Sequence, residues 1–305
     1  MMTAIRISGI SKTFNQRKGA VQALSDVSLA VPAGTVYGFL GQNGAGKTTL
    51  IKILLGLTRH TQGDFSLLGA PASSTEIRKR IGYLPENHRF PPFLTGFQVM
   101  LHFGMMNGVP KSEAQRRIPQ LLELVKMQNW ANRKVKTYSK GMMQRLGLAQ
   151  AMLHNPDILF LDEPTDGVDP IGRMEIREIL LNQKNAGKTI FLNSHLLSEV
   201  EMVCDKVGII HHGKLVQEGS ISDLTGAGNE YIVTFEHLPD QAASDGKRIS
   251  ETQLSMLVQS TEDLNRHIDT WRSNGLLIIS IAKGKRSLES IFIQNIAETD
   301  KEGKI

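Results

Sequence analysis

A glycine-rich turn between an apolar strand and a helix constrains this chain more than any other stretch. Within residues 36–53, VYGFLGQNGAGKTTLIKI, positions 41–48 fit the pattern G-x-x-x-x-G-K-[ST]. Glycines let the backbone wrap closely around phosphate oxygens, and the following helix directs unpaired N–H groups and its positive dipole end at the anion. The pattern predicts a phosphate-binding loop, with Lys47 on the β- and γ-phosphates of a nucleotide and Thr48 on Mg²⁺.

Most of this loop, together with the residue that follows it, is expected to contact the nucleotide. Lys47 is also assigned a catalytic role, because it would reach the phosphates that react. The predicted nucleotide-binding residues are Gly41, Asn43, Gly44, Ala45, Gly46, Lys47, Thr48 and Thr49.

Length and composition limit the class of protein. A chain of 305 residues with 40% apolar content can form one large domain or two smaller ones around a buried core. No run approaches the ~18 apolar residues of a membrane span, and the amino-terminal stretch lacks the apolar block of a signal peptide. One cysteine excludes an internal disulfide, so we expect a cytoplasmic protein. The net charge of +5 is dispersed without interleaved aromatics, which favours solvated helix faces over a nucleic-acid surface.

Two adjacent acids follow the apolar run of residues 158–161. A strand that delivers two carboxylates at its end is costly unless a cation or a water uses them. Asp162 is expected to hold Mg²⁺, directly or through water, and Glu163 to polarise an attacking water as general base. His195 follows another apolar strand, which would place it in register with the acids in a parallel sheet. This position favours a γ-phosphate sensor over a structural histidine.

Phe14 precedes the phosphate-binding loop by a distance that would let its ring stack on an adenine. A core aromatic side chain is the alternative, and the pattern leaves both open.

From about residue 88 to 155 the sequence becomes helical. Thr95, Ser112 and Ser139 are each placed to cap a helix. At the start of this insert, HRFPPFL at residues 88–94 has the composition of an exposed loop but contains Phe90 and Phe93. Docking of these rings to another protein and ordinary packing against the insert both remain open.

Six motifs in order give the chain a resemblance to a known family. They comprise the loop at 41–48, Glu86, the segment 138–142, the strand and acids at 158–163, the segment 166–169, and His195. This set resembles the nucleotide-binding subunit of ABC (ATP-binding cassette) transporters over roughly residues 3–222. GYLPEN, YSKGMMQRLGLAQAML and LDEPTDGVDP look like the separate ATPase subunits of ABC-2-type exporters.

The resemblance implies a fold and an assembly. The fold would be α/β: a phosphate-loop NTPase core with a mixed twisted sheet, an antiparallel β subdomain and a helical subdomain. Two chains would pair head-to-tail, each binding ATP and Mg²⁺ between its own loop and the partner's signature segment, residues 138–142. A separate membrane permease would hold the pair at the cytoplasmic face of the membrane, with no nucleic acid involved.

Individual residues take roles from the same resemblance. Phe14 matches the adenine-stacking aromatic, and His195 matches the switch histidine. Ser139 and Gly141 of the signature segment would bind the γ-phosphate held by the partner chain, and Asp169 would cross the interface between the two copies.

The sequence departs from the pattern of the family in three motifs. Glu86 stands where glutamine is usual, and its oxygen can still approach Mg²⁺ or water, now with a full negative charge. The signature segment retains Ser139 and Gly141 of its five consensus positions and adds Lys140. Asp166 stands where serine is common.

The chain beyond residue 225 lies outside this resemblance. Tyr231, Val233 and Phe235 alternate as in a strand, and Leu264, Ile268 and Trp271 have helical spacing. We therefore expect a cassette at 1–225, a linker at 226–228 and a small α+β accessory domain at 226–305.

The leading hypothesis is an ATPase that powers export through a separate permease. One alternative is a soluble ABC ATPase acting on ribosomes or DNA, but such proteins usually fuse two cassettes or insert coiled coils or zinc motifs, which this sequence lacks. A second alternative, drawn from the degenerate signature segment, is a nucleotide-dependent regulatory module with little turnover.

Overall fold

The chain forms two compact units. The computed structural model describes residues 2–16, 19–71, 73–226, 230–238, 246–284 and 287–302. The first unit comprises Met1–Ser220 with Asn295–Ile305, and the second comprises Ile221–Gln294.

The first unit combines two sheets with a set of helices. Its strands are β1 (Thr3–Gln16), β2 (Gly19–Pro32), β3 (Val36–Leu40), β4 (Gln62–Leu67), β5 (Ala70–Pro71), β6 (Ile81–Leu84), β7 (Ile158–Asp162), β8 (Thr189–Asn193), β9 (Lys206–His211) and β10 (Lys214–Ser220). Its helices are α1 (Lys47–Leu54), α2 (Gly96–Met106), α3 (Lys111–Leu124), α4 (Lys140–Met152), α5 (Pro170–Asn185) and α6 (Leu197–Val203).

A six-stranded sheet in the order β10-β9-β3-β8-β7-β6 forms the centre of this unit. The five strands from β9 to β6 are parallel, and β10 pairs antiparallel with β9. Strands β3, β7 and β8 are buried along their whole length, which explains their continuous apolar sequences. Parallel strands bring their carboxyl ends to one edge, so the segments that follow β3, β7 and β8 meet there.

A second, antiparallel sheet has the order β2-β1-β4-β5. Alternate residues of β1 and β2, including Ile5, Ile7, Val27 and Val31, are buried in the same hydrophobic core as Phe39 of β3. The mixed sheet, the antiparallel sheet and the helices confirm the α/β architecture expected from the sequence.

Helices α2, α3 and α4 lie within the predicted helical insert, and two of their three amino-terminal caps are the residues predicted from the sequence. Thr95 caps α2 in a capping box with Gln98, and Ser139 caps α4 by accepting from the Met142 N–H at 3.2 Å. The predicted cap at Ser112 is wrong. Helix α3 starts at Lys111, two residues earlier than a cap at Ser112 implies, and Pro110 takes the cap position with a φ of −56°.

The second unit is a small α+β domain. Its elements are α7 (Ile221–Thr225), β11 (Glu230–Phe235), β12 (Lys247–Arg248), β13 (Gln253–Leu257), α8 (Thr261–Ser273), β14 (Ile278–Lys283) and the start of α9 (Leu288–Glu302). The strands form an antiparallel sheet in the order β12-β13-β11-β14. Trp271 of α8 is buried against Phe235 of β11, with ring centroids 5.1 Å apart.

The division between the units differs from the sequence boundary of 225/226. It falls between Ser220 and Ile221, because α7 groups with the second unit. Asn295–Ile305 group with the first unit, where Asn295 donates a hydrogen bond to Gln217 of β10. Of the linker expected at 226–228, only Gly226 lies within the described residues.

Within the described ranges, no helix is both long enough and apolar enough to cross a lipid bilayer.

Candidate active site

The loop between β3 and α1 has the backbone conformation that its glycines predict. Gly44 and Gly46 have φ values of 84° and 109°, in the region that favours glycine. A Cβ at Gly46 would also lie 2.5 Å from the carbonyl oxygen of Ala23, so a larger residue would collide with β2. The loop therefore closes tightly against β2 before α1 begins at Lys47.

Two further loop residues shape the cradle from behind. A Cβ at Gly41 would lie 2.5 Å from the carbonyl oxygen of Ile210, so only glycine fits at the end of β3. Ala45 is buried, and its N–H donates to the carbonyl oxygen of Gln42 at 3.1 Å. These contacts hold the turn in one conformation.

A cavity of about 340 Å³ opens beside this loop. Most of the residues predicted from the sequence to bind nucleotide or catalyse its reaction line it. The lining residues are Ala23, Asn43, Gly44, Gly46, Lys47, Thr48, Thr49, Glu86, Glu163, Asp166, Asn193 and His195.

Lys47 is almost completely buried at the base of this cavity. Its Nζ donates to the carbonyl oxygens of Gly41 at 2.7 Å and Gln42 at 3.1 Å. Burial lowers the pKa of the ammonium group, and the nearby carboxylates of Glu163, Asp162 and Glu86 oppose that shift. The two hydrogen bonds thus fix Nζ at the phosphate loop.

Asp162 ends β7 with its carboxylate buried and bound on both oxygens. Thr48 Oγ1 donates to Oδ2 at 3.1 Å, and Asn193 Nδ2 donates to Oδ1. Burial raises the pKa of Asp162, and the two hydrogen bonds oppose that rise. The pair Thr48 and Asp162, which the sequence reading assigns to the metal, is therefore in direct contact.

Glu163 adopts a backbone conformation that non-glycine residues rarely use, with a φ of 54°. Its N–H donates to the carbonyl oxygen of Asn193 at 2.9 Å, and its own carbonyl accepts from Gln144 Nε2 at 3.0 Å. These two hydrogen bonds offset the conformational cost and hold the residue at the end of β7. Local strain of this kind concentrates at functional sites.

The Glu163 carboxylate points at His195. Its Oε2 lies 2.8 Å from His195 Nδ1 and accepts from the His195 backbone N–H at 3.3 Å. Burial raises the pKa of Glu163, and the contacts with His195 oppose that rise. A carboxylate with a raised pKa that opens onto a cavity is suited to accept a proton.

Comparisons with known proteins match this geometry to a family. A family model described as ABC transporter matches residues 24–166. An uncharacterized ABC transporter ATP-binding protein of Synechocystis is 40% identical over 297 residues, covering 96% of this chain and 83% of the relative. The bacitracin transport ATP-binding protein of Bacillus licheniformis is 35% identical over 303 residues, covering 97% and 91%. The chain belongs to the ABC transporter ATP-binding proteins.

Two other comparisons agree with this assignment. The Nod factor export ATP-binding protein of Burkholderia lata is 39% identical over 211 residues, covering 68% of this chain and 69% of the relative. A solved structure of the ATP-binding subunit of an ABC transporter gives a TM-score of 0.65 at 29% identity, covering 72% of this chain and 91% of that chain. This ABC protein is therefore an ATPase that binds and hydrolyses ATP as part of a transporter.

Seven residues assigned to the ABC site from the sequence do not line the cavity. Gly41, Ala45 and Asp162 lie directly behind it, in the contacts described above, and the other four lie elsewhere. Ser139 and Asp169 cap the helices α4 and α5, and a Cβ at Gly141 would meet nothing closer than 3.9 Å. Phe14 is 37% exposed on β1, with Lys12 Nζ 4.6 Å from its ring centroid.

Four residues that the sequence reading did not assign also belong to this ABC site. Ala23 and Asp166 line the cavity, Asn193 binds Asp162, and Gln144 binds the backbone of Glu163. Asn193 could have been found from its place two residues before His195, at the end of the same apolar strand. Gln144 offers no such signal, because a polar residue inside a helix usually faces solvent.

Proposed function

We propose that this ATPase subunit powers export of a substrate through a separate membrane permease, as one of two copies that pair head-to-tail around ATP. The observation that carries the proposal is the division of the site within one chain. The cavity contains Lys47, Glu163 and His195, whereas Ser139 and Gly141 do not line it. The signature segment is thus left to complete the cavity of a second copy.

The direction of transport is inferred from relatives. The names of two relatives specify bacitracin transport and Nod factor export. Neither a soluble ATPase acting on ribosomes or DNA nor a regulatory module is favoured by relatives of this kind. The chain would lie at the cytoplasmic face of the membrane because the permease holds it there.

In the proposed reaction, Glu163 and His195 act on the water and the γ-phosphate. Glu163 accepts a proton from the attacking water, because its carboxylate is buried and its pKa is raised. His195 holds Glu163 through Nδ1 and the backbone N–H. Lys47 and the N–H groups of the loop would stabilise the negative charge on the phosphates.

The residues around Asp162 fit a Mg²⁺ ion. The donor set is a hydroxyl from Thr48 and a carboxylate from Asp162, with Glu86 on the cavity wall, and hard oxygen ligands of this kind suit Mg²⁺ together with nucleotide phosphates. Asn193 Oδ1 is buried without a hydrogen-bond partner among the described residues, which leaves an acceptor for a metal-bound water. Bound there, Mg²⁺ would neutralise phosphate charge during transfer.

Crosslinking tests the head-to-tail arrangement. Cys204 is the single cysteine and is buried, so a Cys204→Ser background leaves only introduced thiols. Asn43→Cys at the phosphate loop and Ser139→Cys at the signature segment would be made in separate chains and mixed with a short bis-thiol crosslinker. We expect a crosslinked dimer that forms with ATP and Mg²⁺, because each loop then faces the partner's signature segment.

The matched control is Lys136→Cys, an exposed position three residues before Ser139. It should crosslink to Asn43→Cys much less. Equal crosslinking of both variants, or none in either when ATP binding is verified, would contradict the arrangement.

A further inference from the structure

The cavity that must bind a polyanionic nucleotide is itself rich in acids. Among its described lining residues, Glu86, Glu163 and Asp166 carry carboxylates, whereas Lys47 is the single lysine or arginine. Asp162 lies directly behind Thr48 and adds a fourth carboxylate close by. Like charges disfavour binding of a phosphate chain, so each carboxylate here that no cation neutralises lowers nucleotide affinity.

Asp166 has a cationic partner outside the cavity. Its Oδ2 lies 2.6 Å from Nζ of Lys140, the first residue of α4. Its N–H donates to the carbonyl oxygen of Glu163 at 3.2 Å, so the pair is attached to the loop that carries the general base. Asp166 therefore joins the cavity wall to the signature segment.

The chain conformation fits this pair closely. Gly167 has a φ of 69°, and a Cβ there would lie 2.3 Å from Lys140 Cδ, so the lysine stem crosses the backbone at a position that only glycine allows. Lys140 also occupies the first turn of α4, where the helix dipole disfavours a cation, and no acid lies in that turn to compensate. The carboxylate of Asp166 supplies that compensation from outside the helix.

We propose that Lys140 tunes nucleotide affinity by neutralising Asp166 on the wall of the ATP cavity of its own chain. The inference rests on the proposed function in that it takes this cavity as the nucleotide site. It adds a residue that controls affinity without lining the cavity. Lys140 is thus a positioning and charge-compensating residue for the nucleotide site of its own chain.

A purely structural role makes a different prediction. The side chains of Lys140 and Asp166 are 61% and 37% exposed, and exposed ion pairs contribute little to stability. If the pair only held α4 in place, removing either partner would change affinity in the same direction. Charge compensation instead requires opposite changes in affinity. Neutralising Lys140 adds net negative charge near the phosphates, whereas neutralising Asp166 removes it.

The experiment measures binding of the fluorescent nucleotide mant-ADP at low ionic strength, at protein concentrations where the chain is monomeric. Lys140→Met should raise the dissociation constant about two- to fivefold, and Asp166→Asn should lower it by a similar factor. The double variant should return to the wild-type value. Added salt should shrink all of these differences.

The control is Lys136→Met, which changes the net charge equally at an exposed site four residues before Lys140 and should bind like wild type. Equal affinities for Lys140→Met and Lys136→Met, or weaker binding by both single variants, would overturn the inference. If Lys140→Met does not fold, the tighter binding expected of Asp166→Asn still tests it. Failure of head-to-tail crosslinking with these opposite shifts intact would contradict the proposed assembly alone.

Discussion

Glu163 combines an unfavourable backbone conformation with a buried, ionisable side chain. Its backbone lies at a φ of 54°, its side chain is buried, and burial raises the pKa of its carboxyl group. Conformations and charges of this kind persist where the surrounding structure enforces them. Two hydrogen bonds hold the backbone of Glu163 here: its N–H donates to the carbonyl oxygen of Asn193, and its carbonyl oxygen accepts from Gln144 Nε2. The contact with His195 holds its carboxylate.

The burial of Glu163 predicts a cost in folded stability that depends on pH. The pKa of Glu163 is raised in the folded chain, so ionisation of this carboxyl group as the pH rises lowers the free energy of unfolding. Below the ordinary pKa of a glutamate the group is protonated in both states, and this loss of stability is absent. Glu163→Gln removes the charge and should raise the unfolding temperature of the nucleotide-free chain at about pH 8. The gain should vanish near about pH 4, where the wild-type carboxyl group is protonated.

Differential scanning fluorimetry of both chains across this pH range gives the measurement. Glu178→Gln, at an exposed position on α5, is the matched control and should leave the unfolding temperature unchanged. A Glu163→Gln chain that is less stable than wild type at the upper pH would show that pairing with His195 outweighs burial.

Asn193 should matter for metal binding although it is not a metal ligand. Its Nδ2 donates to the buried Asp162 carboxylate, and loss of such a supporting hydrogen bond commonly costs 10- to 100-fold, to order of magnitude, in metal affinity. Asn193→Ala should therefore raise the Mg²⁺ concentration for half-maximal ATPase activity by about that factor. Titration of the ATPase rate with Mg²⁺ measures it, with the exposed Asn182→Ala as control. An unchanged Mg²⁺ requirement would contradict a role for Asn193 in metal binding.

Sequence patterns located the residues that parallel strands deliver to one edge. Asp162, Glu163 and His195 each follow an apolar strand, so their meeting is a consequence of topology that the sequence already indicates. Gln144 and Asp166 are different, because their contacts depend on where α4 packs. Packing of a helix over a sheet follows from many side chains together, and no local pattern indicates it.

The two phenylalanines of the loop at residues 88–94 lie in different environments. Phe90 is 8% exposed and packs edge-on against Phe103 of α2, with ring centroids 5.5 Å apart. Phe93 is 69% exposed. Of the two alternatives that the sequence left open, packing against the insert therefore applies to Phe90, and docking stays a prediction for Phe93.

Substitution of the two rings should separate stability from coupling. Phe90→Ala should lower the free energy of unfolding by about 3–5 kcal/mol, because it leaves a cavity beneath the insert. Phe93→Ala should change it by less than about 0.5 kcal/mol and still release the permease from the chain. Denaturant unfolding and co-purification from native membranes give the two readouts. Undiminished co-purification of Phe93→Ala would contradict the docking role.

Helix caps show what local sequence can specify at this scale. The predictions for Thr95 and Ser139 are correct, because the side chains of both residues accept hydrogen bonds from N–H groups in the first turn of the helix. Ser112 has the right residue type, but Pro110 precedes it with a backbone already suited to helix entry. Where two start signals lie two residues apart, composition alone does not decide between them.

The second unit has a hydrophobic core of its own, formed around Trp271 and Phe235. The small α+β fold was predictable from alternating and helical periodicities. The return of Asn295–Ile305 to the first unit was not, because α9 reads as one helix and nothing in its periodicity marks where its packing changes.

We propose that two copies complete each other's ATP site and that Glu163 is the base. Size-exclusion chromatography of Glu163→Gln with ATP and Mg²⁺ tests both parts of this proposal. A chain that binds ATP without hydrolysing it should accumulate as a dimer, whereas the same chain with ADP, and Glu178→Gln with ATP, should elute as monomers. Elution of Glu163→Gln as a monomer, with ATP binding verified in the same sample, would show that the proposed dimer or the role of Glu163 as the base is wrong.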